Sequence, residues 1–251
     1  MSCCSAKNAG AGAGVSAGAG VIGIIGAMES EVRALQGQLE GCETSVVSGM
    51  TFYSGKLQGK DVVVVQSGIG KVNAALCAQI LCIKFGVSRV INTGIAGATG
   101  KGLGVFDFVV SSATVYHDFD TTAFGYKLGQ VPGMSEQFTA DETMADVAVA
   151  AFNHTDFAKE HKIMKGLIAS GDQFISGGDK KNFIKTNFAP LCVEMEGCAI
   201  AHACSVNKVP FIIVRCMSDM ADESVKATYS FNEDVCAEAS AKFVVEILKN
   251  L

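Results

Sequence analysis

Short β-branched runs alternate with helix-patterned stretches along this chain, and that alternation restricts its fold more than any other feature. Residues 21–26, 89–93, 165–170 and 209–216 read as strands. Apolar runs of this length, bounded by Gly or polar residues, suit strands buried on both faces. Residues 51–57, 61–66 and 106–116 add three more strands. Between them lie helix patterns opening at 27–32 and covering 72–85, 141–152 and 197–205, with a last helix over 231–248. Asp141 stands where an N-cap belongs. Strand and helix in repetition predict one mixed or mainly parallel sheet between helices, an α/β fold. With 251 residues, 49% of them hydrophobic, residues 20–251 can bury such a sheet as a single domain. Residues 1–19 are mostly Gly, Ala and Ser and read as a disordered tail.

The formal net charge of -5 argues against nucleic acid as a partner, which requires a basic face. No apolar run reaches the roughly 18 residues that suggest a membrane span, and no secretory pattern is present. The ten cysteines are scattered through apolar segments, as at Cys77, Cys82, Cys192, Cys198, Cys204 and Cys216, without a CxxC pair or zinc spacing. A reducing, cytoplasmic setting with no metal and no cofactor is the expectation. Two stretches imitate ligand motifs. Ser67-Gly68-Ile69-Gly70-Lys71-Val72-Asn73 lacks the third Gly of a dinucleotide loop. His117-Asp118-Phe119-Asp120 offers metal-ligand types, but reads as a hydrogen-bonded turn at a strand end.

In open α/β sheets, ligands bind at the carboxyl ends of strands. Glu31 follows the first strand, and Gly94-Ile95-Ala96-Gly97 reads as a sharp turn after the strand at 89–93. Phe174 sits in the loop after 165–170, Glu194 and Glu196 flank Met195 at the end of an apolar run, and Asp219 follows the strand at 209–216. An acid at a helix N-terminus has a plain structural reading, since the macrodipole favours it. Separate acids at several strand ends, with one aromatic plate beside them, point instead to acid/base work on a neutral, partly flat substrate.

Ile24-Ile25-Gly26-Ala27-Met28-Glu29, Ser67-Gly68-Ile69-Gly70-Lys71-Val72, Thr121 to Gly133, Ser170-Gly171-Asp172, Val193-Glu194-Met195-Glu196 and Arg215-Cys216-Met217-Ser218-Asp219 occur in that order. Over residues 21–251 the chain thereby resembles the 5′-methylthioadenosine/S-adenosylhomocysteine nucleosidases. The resemblance implies a three-layer α/β/α sandwich around a twisted, partly barrel-like mixed sheet of the nucleoside phosphorylase kind. It implies hydrolysis of the N-glycosidic bond, with release of adenine and a 5-thioribose. It further implies that Asp219, positioned by Ser218, protonates the purine N7, and that Glu31 activates water near Arg215. Glu196 would hold the ribose hydroxyls with Met195 against the sugar. Phe174 would stack on adenine and the Ile175 backbone would read its edge. Ile95, Ala96, Gly97 and Glu194 would line the site. Met28, Phe231 and, from the other subunit of a homodimer, Phe124 and Pro132 would surround the thioether.

Two departures stand out. Ile95 replaces the family's Ser, and the stretch from Asp219 to Phe231 is slightly longer than usual. Two rival readings share the fold. A phosphorolytic relative needs arginines for phosphate. This chain has Arg33, Arg89 and Arg215 alone, Asn92 where bacterial-type phosphorylases place an Arg, and Glu31 to repel the anion. A non-catalytic purine-nucleoside binder would not need Glu31, Glu196 and Asp219 together. Preference between the methylthio and homocysteine substituents stays open.

Overall fold

A computed structural model describes residues 5–6, 20–222 and 225–251, with side chains over 20–222 and 232–251. In chain order the elements are β1 (Ser5–Ala6), β2 (Ile22–Gly26), α1 (Glu29–Gln36), β3 (Glu40–Val47), β4 (Met50–Leu57), β5 (Lys60–Gln66), α2 (Lys71–Lys84), β6 (Arg89–Ala98) and β7 (Phe108–Tyr116). They continue as β8 (Phe138–Thr139), α3 (Glu142–Phe152), β9 (Ile163–Ser170), α4 (Gly178–Phe188), β10 (Cys192–Glu194), α5 (Gly197–Asn207), β11 (Phe211–Asp219) and α6 (Val225–Asn250).

All described strands join one mixed sheet, ordered β1-β3-β4-β5-β2-β6-β10-β9-β7-β11, with β8 on β7. An added β6–β11 pairing closes the last five strands of that path on themselves. Half of the molecule is therefore an open, twisted sheet and half a small closed barrel, which has no free edge there. The centre explains the continuous apolar runs. β2 lies parallel between β5 and β6, and all five of its residues are buried. Helices α2 and α5 pack together on one face, and α1, α3 and α6 on the other.

Asp141 caps α3 as its position predicts, its Oδ1 accepting from Met144 N at 2.8 Å. Several boundaries differ from expectation. The last helix starts at Val225 rather than 231, and α1 at Glu29 rather than 27. β3 and α4 have weak periodicity in the sequence and were not legible in it. Of the expected tail, Ser5–Ala6 pair in parallel with Glu43–Thr44, and the rest lies outside the described residues. The largest correction concerns Gly94-Ile95-Ala96-Gly97. No turn occurs there, because β6 runs on to Ala98, paired with β11 along most of that length. The glycines serve close approach instead. A Cβ on Gly94 would lie 2.5 Å from Glu31 Oε1, and one on Gly97 would lie 2.9 Å from Asp219 Oδ1.

The barrel packs against α3 and α6 through an aromatic cluster. Phe108 of β7 meets Phe152, Phe157 and Phe243 with centroids 5.2 to 5.5 Å away. Fully buried, it anchors the layer. Phe108→Ala should cost about 3–5 kcal/mol, measured by urea unfolding; a loss under about 1 kcal/mol would show that the cluster does not hold the layers together.

Candidate active site

The carboxyl ends of β2, β6, β10 and β11 open onto one cleft. Its floor is Ile95, Ala96 and Gly97 of β6, and its walls include Met28, Glu31, Ile69, Val193, Met195, Glu196, Ser218 and Asp219. Gln173, Phe174 and Ile175 close one side, with Phe174 half exposed. Ile175 is held from below by a small separate core that includes Val115, Ile184 and Val193. That cluster gives the loop after β9 a fixed seat, with the Phe174 ring beside it on the wall of the cleft.

Each acid in the cleft is buried in a different way. Glu31 sits in the first turn of α1, where its Oε2 accepts from Ala27 N at 2.6 Å and Met28 N at 3.0 Å. Its Oε1 accepts from Ile95 N at 3.2 Å, reaching across to β6. Burial holds this carboxyl above its ordinary pKa, partly offset by the Arg215 charge and those three donors. Glu196 opens α5, and its Oε1 accepts from Gly70 N at 2.9 Å. Burial first, and then the charge of Glu194, push it up to about 8. Asp219 ends β11, with Oδ2 accepting from Ser218 Oγ and Oδ1 from Ala221 N, both at 2.7 Å. Burial raises its pKa against those two bonds.

Glu194 does something else. Its Oε2 accepts from Arg215 Nη2 at 2.5 Å, Glu196 N at 3.0 Å and Gly197 N at 2.7 Å. Its Oε1 accepts from the Ser170 hydroxyl, whose oxygen in turn takes Cys198 N at 2.7 Å. It borders the cleft, yet both oxygens are committed to the scaffold. Arg215 lies beneath the cleft at 2% exposure, its Nη2 also donating to Asn92 Oδ1 at 2.6 Å.

Of the residues expected at the site, Met28, Glu31, Ile95, Ala96, Gly97, Phe174, Ile175, Glu194, Met195, Glu196, Ser218 and Asp219 border this one cleft. Phe124 and Pro132 are exposed and do not line it. The Phe231 side chain lies outside the described residues. Residue patterns alone missed Ile69, Gln173, Val193 and the Gly70 N–H. The signal for Gly70 was present in the glycine-rich stretch ending at Lys71. A helix N-terminus of that shape offers its N–H groups to an acceptor oxygen, and the acceptor here is Glu196 Oε1. The turn at Asp118 is also hydrogen-bonded, as its sequence suggests, through Lys71 and Asp172 N.

The chain and its fold are similar to known proteins. Residues 21–249 match the model of the Phosphorylase superfamily. The chain is 43% identical over 232 residues to the 5′-methylthioadenosine/S-adenosylhomocysteine nucleosidase of Staphylococcus saprophyticus, covering 92% of this chain and 100% of that one. Its fold is similar to that of the Neisseria meningitidis nucleosidase of that name, solved with methylthio-immucillin-A, at a TM-score of 0.88 and 39% identity over 92% of this chain and 99% of that one. The Colwellia psychrerythraea nucleosidase solved with adenine gives a TM-score of 0.90 and 40% identity, over 93% and 96%.

Removing one member of a buried ion pair strands the other. Arg215→Met should therefore destabilise the fold by about 3–5 kcal/mol in urea titration, and adding Glu194→Gln should restore part of that. Equal stability of the single variant and the parent would mean that the pair is not what holds the cleft floor.

Proposed function

The chain belongs to the 5′-methylthioadenosine/S-adenosylhomocysteine nucleosidases of the phosphorylase superfamily, and from that premise we propose how its cleft breaks the bond between adenine and the sugar. The observation that carries the reading is the meeting of Glu31, Glu196 and Asp219, all buried, around one cleft beside an exposed aromatic ring.

The enzyme is a glycosidic hydrolase that releases adenine from methylthioadenosine and S-adenosylhomocysteine. Adenine leaves poorly as an anion, so a proton must reach N7 as the C–N bond breaks. Asp219 is the donor, because burial favours its protonated form and Ser218 orients it. The sugar becomes oxocarbenium-like, and carboxylates nearby stabilise that charge. Glu196 holds the ribose hydroxyls and Met195 packs on the sugar. Glu31 takes a proton from the attacking water, and the Arg215 charge favours its ionised form. In this chain the Ile95 backbone N–H holds Glu31, and the Ile95 side chain adds an apolar wall where the family has a hydroxyl. Phe174 stacks on the base and the Ile175 backbone reads its edge. Met28, Ile69 and Phe231 suit a thioether.

A homodimer completes that end of the site. Phe124 is 81% exposed, and Ile69, Val72, Leu76 and Ile83 add an apolar strip on and beside α2. Such a surface supports burial against a second copy, with Phe124 and Pro132 reaching the neighbouring cleft. The eight described cysteines are all free, which supports a reducing, cytoplasmic setting. No helix among the described residues is long and apolar enough to cross a membrane.

Phosphorolysis fits less well. Arg215 is tied to Glu194, Asn92 and the Val214 carbonyl, and a phosphate would face Glu31. Adenine release followed by absorbance should proceed at the same rate with and without phosphate and yield no sugar phosphate. A phosphate requirement would replace the hydrolytic reading.

The acid and the base predict a bell-shaped pH profile. Activity falls as pH drops through the raised value of Glu31, which must be ionised, and as pH rises through that of Asp219, which must be protonated. Asp219→Asn should lower kcat at least about 10²-fold while nucleoside binding by calorimetry largely survives. Retained turnover in that variant would remove Asp219 from the role of acid.

A further inference from the structure

Three loops meet beside Glu196 in a charged clasp that the chemistry above does not use. One is the glycine-rich stretch before α2, the second is the turn at Asp118, and the third begins at Gly171 and carries Phe174. Lys71 Nζ donates to both oxygens of Asp118 at 2.7 Å. Asp118 Oδ2 also accepts from Asp172 N at 2.8 Å. Asp172 Oδ1 accepts from Lys71 N at 2.8 Å, which closes a ring of bonds through the three loops. The Lys71 ammonium also lies 5.3 Å from the Tyr116 ring centroid. The residue before Lys71 is Gly70, whose N–H reaches Glu196 Oε1. Gly70 has φ +97, and a Cβ there would sit 3.2 Å from Asp172 Oδ1. Its backbone is thus held in a conformation that only glycine adopts freely.

We propose that Lys71 is a positioning residue for Glu196: by locking Asp118 and Asp172 it fixes the Gly70 N–H that aims the carboxylate at the sugar. The charged clasp is only partly exposed, with the Lys71 side chain at 22% and Asp118 at 11%, so it is a stiffer restraint than a surface pair. The same ring ties the loop carrying Phe174 to the loop that holds Glu196. Base recognition and sugar recognition then share one support. This inference rests on the reading of Glu196 as the ribose-binding carboxylate.

The test compares methylthioadenosine with its 2′,3′-dideoxy analogue, which offers Glu196 no hydroxyl. Lys71→Met, Asp118→Asn and Lys71→Arg are assayed beside Glu196→Gln, each with a thermal melt. Lys71→Met should raise KM for methylthioadenosine about tenfold, in line with losing one aimed hydrogen bond, and raise it less than about twofold for the analogue. Asp118→Asn should follow the same pattern, and Lys71→Arg, which can still fork onto Asp118, should recover most of the loss. Asp118→Asn keeps the test decisive if Lys71→Met does not fold. Equal losses on the two substrates would overturn the proposal, since a scaffold role does not sense the hydroxyls. If Glu196→Gln itself fails to distinguish the two substrates, the assignment of Glu196 has failed, and the proposal falls with it for that separate reason.

Discussion

Everything at the cleft rests on one guanidinium. Several carboxylates crowded under an apolar rim would repel each other and lose their hydration, a cost that burial makes large. Arg215 supplies the positive charge from below, and Glu194 is the acid that meets it directly. Asn92 of β6 takes a further donor of the same group. β6, β10 and β11, three strands of the closed barrel, are thereby pinned side by side at the level of the cleft. Glu194 then uses its other acceptor capacity on Ser170 and on the first N–H groups of α5. The start of that helix is where Glu196 stands, so the ion pair also sets the position of Glu196.

Three acids of nearly the same chemistry come to differ through their donors. Glu31 is gripped by three backbone N–H groups from two elements. Glu196 receives one from a distant loop, and Asp219 one hydroxyl and one N–H from its own turn. Burial raises all three. The number and direction of donors, more than residue type, sort them into base, binder and acid in the proposed reaction.

Much of this is legible in the sequence. The apolar runs of β2, β10 and β11 and the acids at their ends locate the cleft, because a doubly covered strand must be apolar and must release its chain at the rim. Less legible was the length of β6. Gly94 and Gly97 resemble a turn in sequence, but they are small so that Glu31 and Asp219 can approach a continuing strand. That reason exists only once distant segments are in place. β3 was missed because its residues are half exposed and carry no clean alternation. Residue pattern alone does not separate Glu194 from Glu196, since two acids flanking one Met look alike until Arg215 selects one of them.

The central claim is that bond breaking waits on a proton passing from Asp219 to N7 of the purine. The most direct measurement uses the 7-deaza analogue of methylthioadenosine, in which a C–H replaces that nitrogen, in parallel binding and turnover assays. The account predicts that the analogue binds about as well as the substrate and is not cleaved. Cleavage of the analogue at a rate near that of methylthioadenosine would contradict it.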